Sequence, residues 1–237
     1  MIRAVFFDVY GTLAGFQPSR YEVQSQACAD FGLQVTPEGI LRGYGAADAY
    51  MSEQTALRPL RLRDPEEREA FFAEYELLVL RGHGIEVSRA QALDIWRGLR
   101  EIPYAMVAFD DVVPALRRLK QMGLTLGLIS NIDRDGGELA ESLGLASYLD
   151  LTVTSGEVGA EKPDPAIFQA ALARACAQPS EAIHVGDQPS ADVEGARGAG
   201  IGPVLLDRDG NHKRFDRCPR IESLLELPGL LRDWGAE

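Results

Sequence analysis

From Asp111 onward the sequence alternates helical and strand patterns without a break, and few folds accept such a chain. A helix over Val112–Met122, closed by Gly123, is followed by a strand over Leu124–Ile129, a helix over Gly136–Leu143 and a strand over Leu149–Thr154. The alternation continues with a helix over Pro165–Cys176, a strand over Ala182–Val185, a helix over Ala191–Ala199 and a strand over Pro203–Leu206. Repeated crossovers of this kind build a parallel sheet covered on both faces. The fold class is α/β, a doubly wound parallel sheet, in which ligands gather outside the carboxyl ends of the strands.

The apolar run Ala4-Val5-Phe6-Phe7 supplies a further buried strand and delivers Asp8 to its mouth. Gly11 lets the chain turn sharply there, and Thr12 offers a hydroxyl and a backbone N–H to an oxyanion. A strand that ends in an ordinary Asx turn would look the same.

Between these parts, about 85 residues carry helical patterns. Tyr21 to Phe31 presents Val23, Ala27 and Phe31 at helical spacing, and Pro37 begins a helix running to about Gln54, with Gly43 and Gly45 as weak points. Asp64-Pro65-Glu66-Glu67 is a capped helix start, and Phe71, Phe72, Tyr75, Leu78 and Val79 form an apolar stripe read as packing. Ser88 caps a last helix through Trp96. The expected organisation is a sheet domain from 1–15 and 107–237, with a helical insertion over 16–106.

Composition narrows the partners. The net charge is -12, with 24 basic against 36 acidic residues, so a nucleic-acid partner is not expected, whereas a small anionic substrate beside a local cation is. No apolar run is long enough to span a bilayer and no cleavable signal pattern opens the chain, so the expectation is a cytoplasmic protein with no membrane partner. Cys28, Cys176 and Cys218 lack metal-type spacing and read as reduced and structural. The chain is expected to be a monomer or a homodimer.

Polar residues stand at the expected strand ends: Asp8, then Ser130-Asn131, then Lys162 just before a helix start, then Gly186-Asp187 with Asp192 beyond. Three carboxylates and one ammonium at one rim pose an electrostatic problem, since two like charges about 5 Å apart repel by roughly 3 kcal/mol at an effective dielectric near 20. Magnesium suits such a site, being held by one or two carboxylates, water and substrate phosphate oxygens. Asp8 is then placed as a carboxylate nucleophile, with Lys162, Thr12 and Ser130 on the oxygens of a transferring group.

Asp8-Val9-Tyr10-Gly11-Thr12-Leu13, Ile129-Ser130-Asn131, Lys162-Pro163-Asp164 and Gly186-Asp187 with Asp192 resemble, in order, the four motifs of the haloacid dehalogenase-like hydrolase superfamily. The helical insertion resembles that superfamily's cap, which selects substrate in the cleft it covers. The resemblance implies that Asp8 is the covalent nucleophile, that Ser130 binds phosphate or substrate, and that Lys162 is the balancing cation. It implies Mg²⁺ on Asp8, Asp187 and the Tyr10 backbone carbonyl, with Asp192 acting directly or through water. Asn131 is read as a substrate or supporting contact.

The chain departs from that pattern at one point. Phosphatases of the superfamily usually carry a second Asp two residues after the nucleophile as general acid and base, and here the position is Tyr10. Tyr at this place resembles the 2-haloacid dehalogenases, whose halide leaving group needs no proton. Those enzymes use no metal and generally lack the acidic pair kept here as Asp187 and Asp192. The expectation is a phosphoric monoester hydrolase, with a 2-haloacid dehalogenase, or a weakly active ligand-binding or regulatory module, as alternatives.

His184 is read as a packed core histidine, and Asp207-Arg208-Asp209-Gly210-Asn211 as a solvated turn. Arg20, Arg42, Arg58, Arg61 and Arg63 are candidate anion hooks, although ordinary surface arginines are the plainer reading.

Overall fold

Among residues 1–234, which the computed structural model describes, the chain opens with β1 (Ala4–Phe7) and β2 (Ala14–Gln17). Helices α1 (Arg20–Ala29), α2 (Pro37–Leu57), α3 (Pro65–Gly82) and α4 (Arg89–Glu101) follow, and then β3 (Ala105–Ala108). The alternating part begins with α5 (Val112–Gln121), β4 (Thr125–Ser130), α6 (Gly136–Ser142), β5 (Leu151–Thr154), α7 (Ser155–Val158) and α8 (Pro165–Ala175). It ends with β6 (Ala182–Gly186), a π-helical segment over Pro189–Glu194, α9 (Gly195–Gly198), β7 (Gly202–Leu206), β8 (Arg220–Ile221) and α10 (Leu227–Asp233). Residues group into two units, one made of Met1–Gly15 and the stretch from Met106 onward, the other of Phe16–Ala105.

In the first unit six strands form one parallel sheet in the order β5-β4-β1-β6-β7-β8. Its central strand is β1, whose Phe7 lies beside Leu128 of β4 on one side and Val185 of β6 on the other. Alternation along the strand divides the core. Val5, Phe7, Ile183 and Val185 point to the face covered by Val112, Leu116 and Leu119 of α5 and Leu227 and Leu231 of α10. Ala4, Phe6 and Ala182 point to the other, covered by Ile167, Phe168, Ala171 and Leu172 of α8. The doubly wound sheet follows from both faces being apolar.

The structure amends two parts of the expected alternation. Strand β5 begins at Leu151 rather than Leu149; just before it the Asp150 carboxylate takes the Leu126 amide at 2.8 Å and the Lys120 ammonium at 2.5 Å. The expected helix over Ala191–Ala199 is a π-helical turn followed by the short α9. Its wider winding shows in the Val193 amide, which donates to the Gln188 carbonyl at 3.3 Å.

The second unit is helical, as its capping signals require. Asp64 and Ser88 each form reciprocal capping boxes, with Glu67 and Gln91. Gly43 is a crossing point rather than a weak point: a Cβ there would lie 2.0 Å from the Val79 carbonyl oxygen, so only glycine lets α2 and α3 approach so closely. Phe31 lies beyond the end of α1 and is 42% exposed, whereas Cys28 on the helix is fully buried. Phe72 and Trp96 stack with ring centroids 4.6 Å apart, so the aromatic stripe is packing.

Strands β2 and β3 pair as a separate two-stranded sheet. At four residues each, they carry too little alternation to stand out in the sequence.

Candidate active site

Asp8 lies one residue beyond β1, with its amide still bonded to the Val185 carbonyl at 2.9 Å. The chain then closes a tight turn, in which Leu13 and Ala14 both donate to the Val9 carbonyl at 2.8 Å. Gly11 is required on two counts: its φ is +83°, and a Cβ would fall 2.3 Å from Asp187 Oδ2. The turn therefore presses against the carboxylate that ends β6. Tyr10 sits half-buried in this turn, in a β-bridge with Ala14.

Lys162 is brought in from the loop before α8 and held by its own backbone. Asn131 Nδ2 donates to the Lys162 carbonyl at 2.9 Å, and the Lys162 amide donates to Asn131 Oδ1 at 2.6 Å. Asn131 thereby braces the Lys162 backbone, while each end of its amide keeps one further hydrogen-bonding site. Ser130, at the end of β4, is 7% exposed.

The Lys162 ammonium is buried between two carboxylates, 2.5 Å from Asp8 Oδ1 and 2.7 Å from Asp192 Oδ1. His184 Nε2 lies 2.9 Å from the same Asp192 oxygen, and the Gln188 amide donates to the other at 3.0 Å. The π-turn carries Asp192 back over β6, and a Cβ on Gly186 would lie 2.1 Å from its Cγ. His184 and Gly186 share a face of β6, being two residues apart, so the residue folded over Gly186 meets the imidazole. His184 is fully buried, as expected of a core residue, but it also anchors a charged site residue that the sequence reading did not connect to it.

Burial pushes the Asp8 carboxyl up to about 6, Lys162 opposing and the Asp192 charge adding to the rise. Burial acts against ionisation of Asp192 too, but the Lys162 ammonium and the His184 hydrogen bond hold it well below the usual carboxylate range. For Lys162 the burial penalty is outweighed by Asp192 and then Asp8, so it stays protonated. Burial favours neutral His184, so the proton on Nε2 serves Asp192 and Nδ1 has no hydrogen-bond partner among the described residues.

Asp8, Asp187 and Asp192 place carboxylate oxygens within 4.8 Å of one another. Three clustered carboxylates, two of them paired with one ammonium, form a donor set that a hard divalent cation fits. Both Asp192 oxygens already accept protein donors, which leaves Asp8 and Asp187 as the carboxylates better placed to ligate. The Thr12 hydroxyl, expected to meet an oxyanion, is fully buried with no hydrogen-bond partner among the described residues.

Other candidates are engaged elsewhere. Arg20 pairs with Asp48 at 2.8 Å and lies 3.8 Å over the Tyr44 ring, Arg58 pairs with Glu67 at 2.5 Å, and Arg63 donates to backbone carbonyls, so none of these three is an open anion hook. The 207–211 segment is not merely solvated. Asp207 is 3% exposed and accepts from Arg220 at 2.9 Å, while Arg208 reaches the Thr12 carbonyl at 2.8 Å. A charged pentapeptide does not reveal that its carboxylate turns inward.

Comparison with known proteins identifies the family. A family model described as haloacid dehalogenase-like hydrolase matches residues 2–200. The mouse haloacid dehalogenase-like hydrolase domain-containing protein 3 is 36% identical over 104 residues, 44% of this chain and 41% of that protein, so the chain spans less than half of this relative. A glyceraldehyde 3-phosphate phosphatase of Methanothermobacter thermautotrophicus is 30% identical over 214 residues, 88% of this chain and 87% of its own. Among solved structures, a 2-haloacid dehalogenase from Pseudomonas syringae pv. Tomato is 29% identical with a TM-score of 0.56, covering 99% of this chain and 100% of that one.

Proposed function

The chain belongs to the haloacid dehalogenase-like hydrolases, and from that premise we propose that it is a magnesium-dependent phosphatase acting on a small phosphorylated metabolite. The observation that carries this reading is the cluster of Asp8, Asp187 and Asp192, whose oxygens lie within 4.8 Å of one another while one ammonium pairs with Asp8 and Asp192. Carboxylates so clustered are costly without enough counter-charge, and a divalent cation would supply what one ammonium does not.

In this reading Asp8 attacks phosphorus, the bond to the leaving oxygen breaks, and an aspartyl phosphate forms. Water then attacks the same phosphorus, releasing inorganic phosphate and restoring the Asp8 carboxylate. Lys162 keeps Asp8 ionised and oriented, and Asp192 keeps Lys162 in place. Ser130 and the amides of the Gly11-Thr12 turn are assigned to the phosphoryl oxygens. Asp8, Asp187 and the Tyr10 carbonyl would hold magnesium, which would supply the charge that lets an anionic nucleophile meet an anionic substrate. The leaving oxygen takes its proton from water or from Tyr10. The Phe16–Ala105 unit is assigned the choice of substrate.

A second reading, a 2-haloacid dehalogenase, is favoured by Tyr10 and by the solved dehalogenase of similar sequence. There Asp8 would attack carbon and expel halide. The two are separated by one assay pair: hydrolysis of an aryl phosphate with magnesium and then with chelator, and halide release from 2-haloacids under the same conditions. The phosphatase reading expects turnover only in the first, lost with chelator. Halide release indifferent to chelator would overturn it.

A further inference from the structure

A charged side chain from outside the four motif segments reaches the nucleophile's turn. Arg208, in the loop after β7, donates from Nη2 to the Thr12 carbonyl at 2.8 Å. It also makes a two-point contact with Asp111, Nη1 to Oδ2 and Nη2 to Oδ1, both at 2.9 Å. The guanidinium lies 4.4 Å over the Phe109 ring, and both charged side chains are largely buried, 18% and 13% exposed. Asp111 is itself fixed. Although it precedes α5, it makes no side-chain cap there, and accepts instead from the Ser223 hydroxyl at 2.7 Å and the Leu224 amide at 2.9 Å. The adjoining carbonyl of the turn, that of Leu13, is taken by the Phe109 amide at 3.1 Å.

We propose that Arg208 is a positioning residue for the nucleophile: gripped by Asp111 and stacked on Phe109, it clamps the Thr12 carbonyl and so fixes the turn that carries Asp8 and Tyr10. The turn has little freedom to lose before the site changes, since Gly11 already abuts Asp187. A shift at the Thr12 peptide moves Gly11 against that carboxylate and moves Asp8 with it. The planar fork of arginine serves Asp111 and Thr12 together, whereas a lysine ammonium keeps the charge without the fork. The clamp rests on Asp8 being the nucleophile, as read above, but not on which leaving group it expels.

The test is Arg208→Lys, with Arg208→Ala and Asp111→Asn beside it. Misplacement of a reacting group by about 1 Å costs about 100-fold, so kcat is expected to fall by about 10- to 100-fold while KM stays within about twofold. Hydrogen exchange in the peptide covering residues 8–14 should quicken, with protection of β4 and β7 retained. Added methylguanidinium should restore part of kcat in Arg208→Ala. An unchanged kcat in folded Arg208→Lys, a rise in KM alone, or unaltered exchange over 8–14 would each overturn the clamp. Absence of phosphatase turnover in the wild type would count against the proposed function instead, leaving exchange and halide release to judge Arg208.

Discussion

Lys162 and Asp8 are joined at 2.5 Å through an ammonium that is 3% exposed and shared with Asp192. The shared cation holds two buried carboxylates that would otherwise face each other. Lys162→Met is therefore expected to lower stability by about 3 to 5 kcal/mol, the cost of leaving buried charges uncompensated, and to abolish turnover. Denaturant melts in chelator measure the first effect. Adding Asp8→Asn to the lysine variant should recover part of the loss, and the absence of any recovery would contradict the pairing.

Asp8 itself is held at the expense of stability. Its folded pKa is raised from 3.8 to about 6, so the stability it contributes is full below the unfolded value and is lost as pH rises through about 6. Asp8→Asn removes that charge while Lys162 keeps Asp192 as a partner. At pH 7.5 in chelator the variant should be more stable than the wild type by about 1 to 3 kcal/mol, yet inactive. A destabilised Asn variant would show that the ion pair outweighs burial.

The same sign governs a group in the helical unit. Glu76 is 1% exposed on α3, bonded to Gln24 Nε2 at 2.5 Å, with Gln24 in turn accepting from Tyr44 at 3.0 Å. Burial pushes its carboxyl from 4.5 up to about 7. Stability is present in full below pH 4.5 and declines as pH rises through 7, by about 3 kcal/mol for this group. Glu76→Gln should remove that part of the decline, seen as thermal midpoints that hold up better from pH 6 to 9. Parallel pH profiles for the two proteins would contradict it.

Tyr10 stands where a carboxylic acid would protonate the leaving group in the phosphatases this chain resembles. Without that acid, turnover should depend steeply on the leaving group, with aryl phosphates well ahead of alkyl phosphates. Tyr10→Asp should raise kcat on alkyl phosphates by about 100-fold, the lower end of what a positioned acid contributes, and flatten the dependence. A wild-type rate that ignores the leaving group would contradict this account of Tyr10.

Much of this arrangement was legible because it follows from chain periodicity. Asp8, Ser130 and Asp187 each end an apolar run, and parallel crossovers bring such ends to one edge. What was hidden depends on side-chain direction. His184 meets Asp192 only because the segment after Gly186 winds as a π-turn, and nothing in Pro189–Glu194 announces that winding. That Asn131 braces Lys162 shows only once the backbone 31 residues away is in place. Asp207 and Arg208 read as a polar turn because burial of a charge shows only once its partners, Arg220 and Asp111, are in place. Gly43 looked like a flaw in a helix, and its reason lies on another helix.

The central claim is that Asp8 forms the covalent bond, and that it forms it to phosphorus. The most direct test is to mix enzyme, magnesium and an aryl phosphate, quench in acid within a turnover, and map the mass of the peptide that contains Asp8. The account predicts a phosphoryl group on Asp8, absent in Asp8→Asn and absent when chelator replaces magnesium. A phosphoryl group on another residue would contradict it, as would turnover with Asp8 unmodified or an Asp8 ester formed only from a 2-haloacid.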